Sequence, residues 1–107
     1  MKKITYFRAM KEKTGFTFQA CEGYLINFYN GSAAVDLVFG KNQYNQWTVT
    51  ELSTGFLVHN SRFNTRKEAI SAITAEYLKK ICNEMLKWQF YPDAVERLQK
   101  FRVTNQV

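Results

Sequence analysis

Histidine, cysteine, proline and glycine are scarce in this 107-residue sequence, and each scarcity excludes a class of protein. One histidine, His59, and two distant cysteines, Cys21 and Cys82, do not supply the ligand spacing of a zinc site. A single proline and five glycines argue against a disordered linker and against a glycine-rich phosphate loop. We therefore expect no metal, no cofactor and two reduced thiols.

Residues suited to catalysis are also sparse. A nucleophilic site would have to use His59, and the sequence near it has no distinctive nucleophile motif. Paired carboxylates would require Asp36 and Glu51 to meet across the sheet, and no motif indicates that they do. We expect the protein not to be an enzyme, and we assign no catalytic residue.

Long apolar runs are absent too. No stretch approaches the roughly 20 apolar residues of a membrane span, and the basic N-terminus precedes only a short mixed segment instead of a signal-peptide core. These features predict a cytoplasmic protein without membrane contact. The length and composition predict one globular domain covering residues 1–107.

The first 60 residues favour β-strands. Runs rich in aromatic and β-branched residues, several alternating with period two, occupy residues 4–9, 16–20, 24–29, 33–39, 47–52 and 56–59. Polar residues 11–15 and 40–46 predict loops. Asn30-Gly31 predicts a type I′ hairpin turn, and Ser53-Thr54-Gly55 predicts a second hairpin. As an alternative, residues 6–13 form a short helix ended by Gly15, which gives an α-β-β-β-α order.

A helix is predicted after this region. Thr65 and Glu68 form a capping box. Apolar residues then recur at spacings of three and four, in the stripe Ile70, Ile73, Tyr77, Ile81, Met85 and Trp88. Pro92 predicts the end of this helix and the start of another. The sequence therefore predicts an α+β fold: an antiparallel sheet of about five or six strands packed against one long C-terminal helix, plus a short final helix.

Basic residues give a net charge of +6 that is unevenly placed. Residues 1–13 carry +4, residues 14–61 carry −2 and residues 62–107 carry +4. This surplus favours an acidic protein surface or nucleic acid as a partner. Two candidate binding groups follow, one at the start of the long helix and one along its exposed side: Arg62, Arg66 and Lys67, and Lys79, Lys80 and Lys87.

Each basic group has a second interpretation. The first favours a phosphate or carboxylate at free helix amides, unless Thr65 and Glu68 already satisfy those amides. The second favours a nucleic-acid backbone, unless Glu76 and Glu84 pair with the lysines along the helix. Both interpretations are compatible with the sequence.

Two aromatic residues in the middle of the chain, Tyr44 and Trp47, are further binding candidates. On an exposed sheet face they would stack bases or anchor a protein partner. The mild acidity of residues 14–61 argues against phosphates there and favours a basic protein partner.

The stretch WTVTELSTGFLV from Trp47, followed by NTRKEAI from Asn64, resembles the hairpin-then-helix units of small phage and mobile-element proteins of low-GC bacteria. Some anti-CRISPR proteins are of this size and build, and the resemblance covers about residues 44–80. It implies a non-enzymatic inhibitor that docks on a host defence protein, such as a CRISPR nuclease or its RNA complex. The positive charge disfavours nucleic-acid mimicry and fits a nuclease–RNA complex or an acidic surface better.

The leading hypothesis is therefore a protein-binding module of a phage or mobile element. The alternative is a small basic nucleic-acid-binding protein of double-stranded-RNA-binding-like α+β build. A third hypothesis is a homodimer built on an exposed sheet face, so the sequence leaves monomer and homodimer both open.

Overall fold

The computed structural model describes residues 2–13, 15–31, 33–59, 61–85, 87 and 91–105. In these residues four strands form one antiparallel sheet in the order β1-β2-β3-β4. Their bounds are β1 Lys2–Glu12, β2 Gly15–Asn30, β3 Ala33–Lys41 and β4 Trp47–Glu51. The α+β class is confirmed, with four strands instead of the predicted five or six.

One reason for the smaller number is the length of β2. The separate strands predicted at residues 16–20 and 24–29 are one continuous strand, which pairs with β1 along its first part and with β3 along its second. The polar loop predicted at 11–15 is replaced in part by strand, because Lys11 pairs with Phe16 and Glu12 pairs with Gly15. Residues 6–12 are strand, so the alternative α-β-β-β-α order is wrong.

The two predicted hairpins differ from expectation in detail. Asn30 pairs with Ala33 and so ends β2, and the positive φ of 63° lies at Gly31, which places the first turn one residue later than predicted. In the second, the returning segment makes only single bridges to β4, from Leu57 to Thr50 and from Phe63 to Trp47. The predicted strand at residues 56–59 is therefore not formed.

The turn after β4 also closes the sheet onto its first strand. The amide of Ala9 in β1 donates to the carbonyl of Gly55 at 2.9 Å. Gly55 has a φ of 76°, and a Cβ there would lie 2.8 Å from the carbonyl oxygen of Phe7. Glycine is therefore required at this position for both its conformation and the close approach of β1.

The single long helix predicted after Thr65 is wrong. The chain forms α1 (Arg66–Ser71), then α2 (Ala75–Lys80), which continues into a π-helical segment (Ile81–Met85). The break has a local cause, since the Thr74 hydroxyl accepts from the amide of Tyr77 and starts a new helix. The last helix, α3 (Tyr91–Asn105), is the longest described, so the prediction that it is short is also wrong.

The main core lies between the helices and one face of β3 and β4. The sheet contributes Val35, Leu37, Phe39 and Val49, and the helices contribute Ala69, Ile73, Leu78, Ile81, Cys82 and Met85. Ile70 and Tyr77 pack at its margin, which confirms the predicted sheet-facing stripe up to Met85. Trp88, the last position of that stripe, lies outside the described residues.

The helix α3 packs near the other end of the sheet. The ring of Phe101 lies 5.0 Å from that of Phe7 and 4.9 Å from that of Phe18, between centroids. Arg102 donates to the carbonyl of Leu52 at 3.1 Å. No helix among the described residues is both long enough and apolar enough to span a membrane.

Candidate functional site

The loop between β3 and β4, residues 42–46, is held by its own hydrogen bonds. The side-chain oxygen of Asn42 accepts from the amides of Tyr44 and Gln46 at 2.9 and 3.1 Å. The backbone amide of Asn42 donates to the backbone carbonyl of Gln46, and the backbone carbonyl of Asn42 accepts from the backbone amide of Asn45. Asn45 has a φ of 62°, which asparagine tolerates better than most residues. The loop is therefore ordered before any partner arrives.

This loop presents Tyr44 to solvent, with 73% of the residue's surface exposed. Beside it lies an open depression of about 560 Å³, whose lining includes the basic side chains Arg8, Lys41 and Arg62. Amide side chains of the loop line it too, and no aspartate or glutamate does in the part of the chain described. We refer to residues 42–46 with Arg8, Lys41 and Arg62 as the loop surface.

Arg8 is held in the loop surface by uncharged groups. Its Nη2 lies within hydrogen-bonding distance of Tyr6 Oη at 3.2 Å, and of the Lys41 carbonyl and Thr48 Oγ1 at 3.4 Å. Its Nε is buried and lacks a hydrogen-bond partner among the described residues. These contacts fix the guanidinium without neutralising its charge, so the positive potential remains for an incoming anion.

A group of rings and cations lies beside the loop surface. The guanidinium carbon of Arg66 lies 4.2 Å from the ring centroid of Tyr24 and 6.0 Å from that of Trp47. The Lys41 ammonium lies 5.4 Å from the Trp47 centroid. These distances are those of cation–π contacts. We refer to Tyr24, Lys41, Trp47 and Arg66 as the ring cluster.

The structure brings together four of the eight predicted binding residues. Tyr44 and Arg62 line the depression, while Trp47 and Arg66 belong to the ring cluster beside it. Lys67 is exposed on α1. The two regions share Lys41, but the strand register places Arg8 on the opposite face of the sheet from Tyr24 and Trp47. Glu22 also lines the side of the ring cluster.

The predicted helix lysines lie elsewhere. Lys79 and Lys80 are exposed at the end of α2, and Lys87 is exposed beyond the π-helical segment, so the three do not share one α-helix. Lys80 lies 5.8 Å from the ring centroid of Tyr77 and lines a separate pocket together with Glu84. The predicted basic strip is thus divided by the change in helix geometry.

The anion site predicted at the start of the helix is also different. The Thr65 hydroxyl accepts from the amide of Glu68 at 3.1 Å, as the capping box predicts. Arg66 turns away from that terminus to cover Tyr24 and Trp47. Because α1 has only six residues, its terminus offers little dipole to an anion.

Sequence reasoning missed Arg8 and Lys41 as members of the loop surface, and Tyr24 as a member of the ring cluster. Lys41 stands apart from the basic segments of the sequence, whereas Arg8 belongs to the basic segment 1–13 and Tyr24 stands inside a strand. Only the pairing of Lys41 with Trp47 across the hairpin was accessible to sequence reasoning. Arg8, Arg62 and Arg66 come from outside the mildly acidic residues 14–61 and add positive charge near these aromatic residues, where Glu22 also lies.

His59, which was considered for catalysis, contacts neighbouring residues of the fold. The Nδ1 of His59 accepts from the amide of Ser61 at 3.1 Å, and its ring stacks on Tyr77 at 4.6 Å. Burial, and to a smaller extent the charge of Lys80, lowers the pKa of His59 below 6.5. No group of three or more His, Cys, Asp or Glu side chains within the described ranges is placed to hold a metal ion.

The carboxylate of Glu51 accepts hydrogen bonds from the turn that follows β4. Glu51 is 3% exposed, and its carboxylate accepts from the amide and hydroxyl of Ser53 and from the hydroxyl of Thr54. The sheet register pairs it with Leu37, so its side chain and that of Asp36 point to opposite faces. The two carboxylates considered as a pair are therefore not placed side by side.

Comparisons with known proteins give no relatives. No protein-family model, no curated protein and no solved structure matches the chain.

Proposed function

We propose that the protein is a non-enzymatic binding module that docks on a partner protein through the loop surface. The observation that carries this proposal is Tyr44, held exposed by a self-bonded loop beside three basic side chains. A contact residue ordered in advance loses less conformational entropy on binding. Tyrosine and arginine are also the residue types that dominate binding energy at protein interfaces.

The resemblance of the hairpin and first helix to anti-CRISPR-type proteins supplies the candidate partner. In this proposal the protein acts in the cytoplasm and inhibits a CRISPR nuclease, alone or with its guide RNA. The basic character of the loop surface supports a partner with negative potential. It does not support mimicry of DNA, which requires an acidic surface.

The test is biolayer interferometry of the protein against CRISPR nucleases, with and without guide RNA. Tyr44→Ala is compared with Tyr29→Ala, because Tyr29 is equally exposed, at 73%, but lies near the far hairpin of β2. Tyr44→Ala is expected to weaken binding by about 2 kcal/mol, or about 30-fold, and Tyr29→Ala by less than about twofold. Equal effects of the two substitutions would contradict docking at the loop surface.

A second candidate function is nucleic-acid binding, since the structure adds Arg8, Arg62 and Arg66 to an aromatic region that looked acidic in the sequence. The strand at residues 2–12 removes the basis for a double-stranded-RNA-binding-like fold order. Binding to mixed-sequence DNA and RNA at increasing salt tests this candidate. Tight binding that weakens steeply with salt supports it, and no binding at low salt refutes it.

A further inference from the structure

Few aromatic rings in the loop surface and ring cluster have a face that a partner can contact. Arg66 covers Tyr24, and both Arg66 and Lys41 lie against Trp47. Among the described residues of these two regions, the aromatic side chain with high exposure is Tyr44, at 73%. Proteins that bind single strands present several rings on which successive bases stack. One free ring suits a single anchoring contact better than a row of bases.

The charged groups of the loop surface suit carboxylates. Nη2 of Arg8 is bonded to neutral acceptors and Nε is buried, so Nη1 is the nitrogen left to form a charge-assisted hydrogen bond with a carboxylate. Lys41 and Arg62 line the same depression. The amide side chains around them match the peptide groups of an extended chain, which offers donors and acceptors in alternation.

We infer that the loop surface binds an acidic, extended segment of the partner protein. Carboxylates of this segment lie against Arg8, Lys41 and Arg62, and Tyr44 packs on the adjoining part of the same segment. This inference rests on the proposed docking function and adds the chemistry of the partner. Charge complementarity selects this occupant, because the lining of the depression is basic and amide-rich.

The inference is tested by fluorescence anisotropy with three labelled probes at low salt. The first is a peptide of about 12 residues rich in Asp and Glu, which at about 3.3 Å per residue is long enough to cross the depression. The second is the same peptide with Asn and Gln in place of the acids. The third is an oligo-dT single strand of equal length.

Two double variants with the same net charge provide the comparison. Lys41→Gln with Arg62→Gln alters the loop surface, and Lys79→Gln with Lys87→Gln alters exposed lysines elsewhere. The first is expected to weaken acidic-peptide binding about tenfold and the second by less than about twofold. All four side chains are exposed, so both variants keep the fold, which circular dichroism verifies.

Several results overturn the inference. They are the absence of acidic-peptide binding, equal binding of the neutral peptide, and equal losses in the two double variants. Tighter binding of oligo-dT, lost in the first double variant, would assign the loop surface to nucleic acid instead. Failure of the proposed function is seen separately, as nuclease binding that survives Tyr44→Ala unchanged.

Discussion

Replacing Glu51 is expected to destabilise the fold more than any substitution of an exposed acidic residue. Its buried carboxylate accepts from Ser53 N at 2.8 Å, from Ser53 Oγ at 2.6 Å and from Thr54 Oγ1 at 2.9 Å. The Ser53 hydroxyl lies 2.8 Å from the hydroxyl of Tyr91, the first residue of α3. The carboxylate thus holds the turn after β4, and Ser53 of this turn contacts the start of α3.

The magnitude follows from these bonds. Glu51→Gln keeps the shape and can donate its amide to the Thr54 hydroxyl while its oxygen serves Ser53. It loses the charge of the acceptor, so we expect a loss of about 1–2 kcal/mol. Glu51→Ala leaves the buried Thr54 hydroxyl and two half-buried Ser53 donors without an acceptor, and we expect a loss of about 3–5 kcal/mol. For a domain of about 100 residues, the glutamine variant should melt roughly 5–10 °C lower.

Urea unfolding and thermal melting followed by circular dichroism measure both variants. Glu12→Gln is the matched control, since Glu12 is exposed at the end of β1 and its substitution should change stability by less than about 0.5 kcal/mol. A Glu51→Ala variant within about 1 kcal/mol of wild type would refute the account, because buried donors without an acceptor cost about 1–3 kcal/mol.

Three further predictions concern sterics and titration. Gly40→Ala should cost about 1–3 kcal/mol, because its Cβ would collide with the Tyr6 hydroxyl, and Tyr6→Phe should reduce that cost. The pKa of His59, the sole histidine, should lie below 6.5 in an NMR titration, and Lys80→Gln should raise it. The unfolded chain then binds the His59 proton more tightly, so stability falls as the pH drops below about 6.5. Burial raises the pKa of Tyr91, so stability should fall above about pH 10, less steeply in Tyr91→Phe.

Each of these predictions has a contradicting result. A stable Gly40→Ala variant would show that the sheet yields at that position. An unchanged His59 titration in Lys80→Gln would remove the charge as a cause of the lowered pKa. Identical alkaline unfolding of Tyr91→Phe and wild type would show that Tyr91 is not protected from ionisation by its burial.

Local patterns in the sequence predicted the class of each region but not its continuity. Alternating and aromatic-rich runs identified the strands, and the capping box at Thr65 identified a helix start. The apolar spacing continued past Thr74, however, so the second cap was hidden within an unbroken stripe. The segment predicted as a strand at residues 56–59 does bond to β4, through the Phe56 carbonyl and the Val58 amide, but it makes one isolated bridge at Leu57 instead of a strand.

The residues of the candidate site were predicted only in part, because local sequence patterns do not tell which strands lie next to one another. Tyr44 and Trp47 were identified from their type and position, and Arg62 and Arg66 from their charge. Arg8 was not, because it reaches the β3–β4 loop only through the order of strands in the sheet and the contacts to Lys41 and Thr48. A charge count over consecutive residues likewise did not include Arg8, Arg62 and Arg66, which come from other parts of the sequence.

The bond between Ala9 and Gly55 has a consequence for synthesis of the chain. Every strand pair joins neighbours in sequence, so the hairpins are able to form one after another as the chain leaves the ribosome. The outer edge of β1 at Ala9 is covered only when Gly55 has emerged. A nascent chain that ends before this glycine exposes unpaired backbone groups there, which invite pairing with other chains.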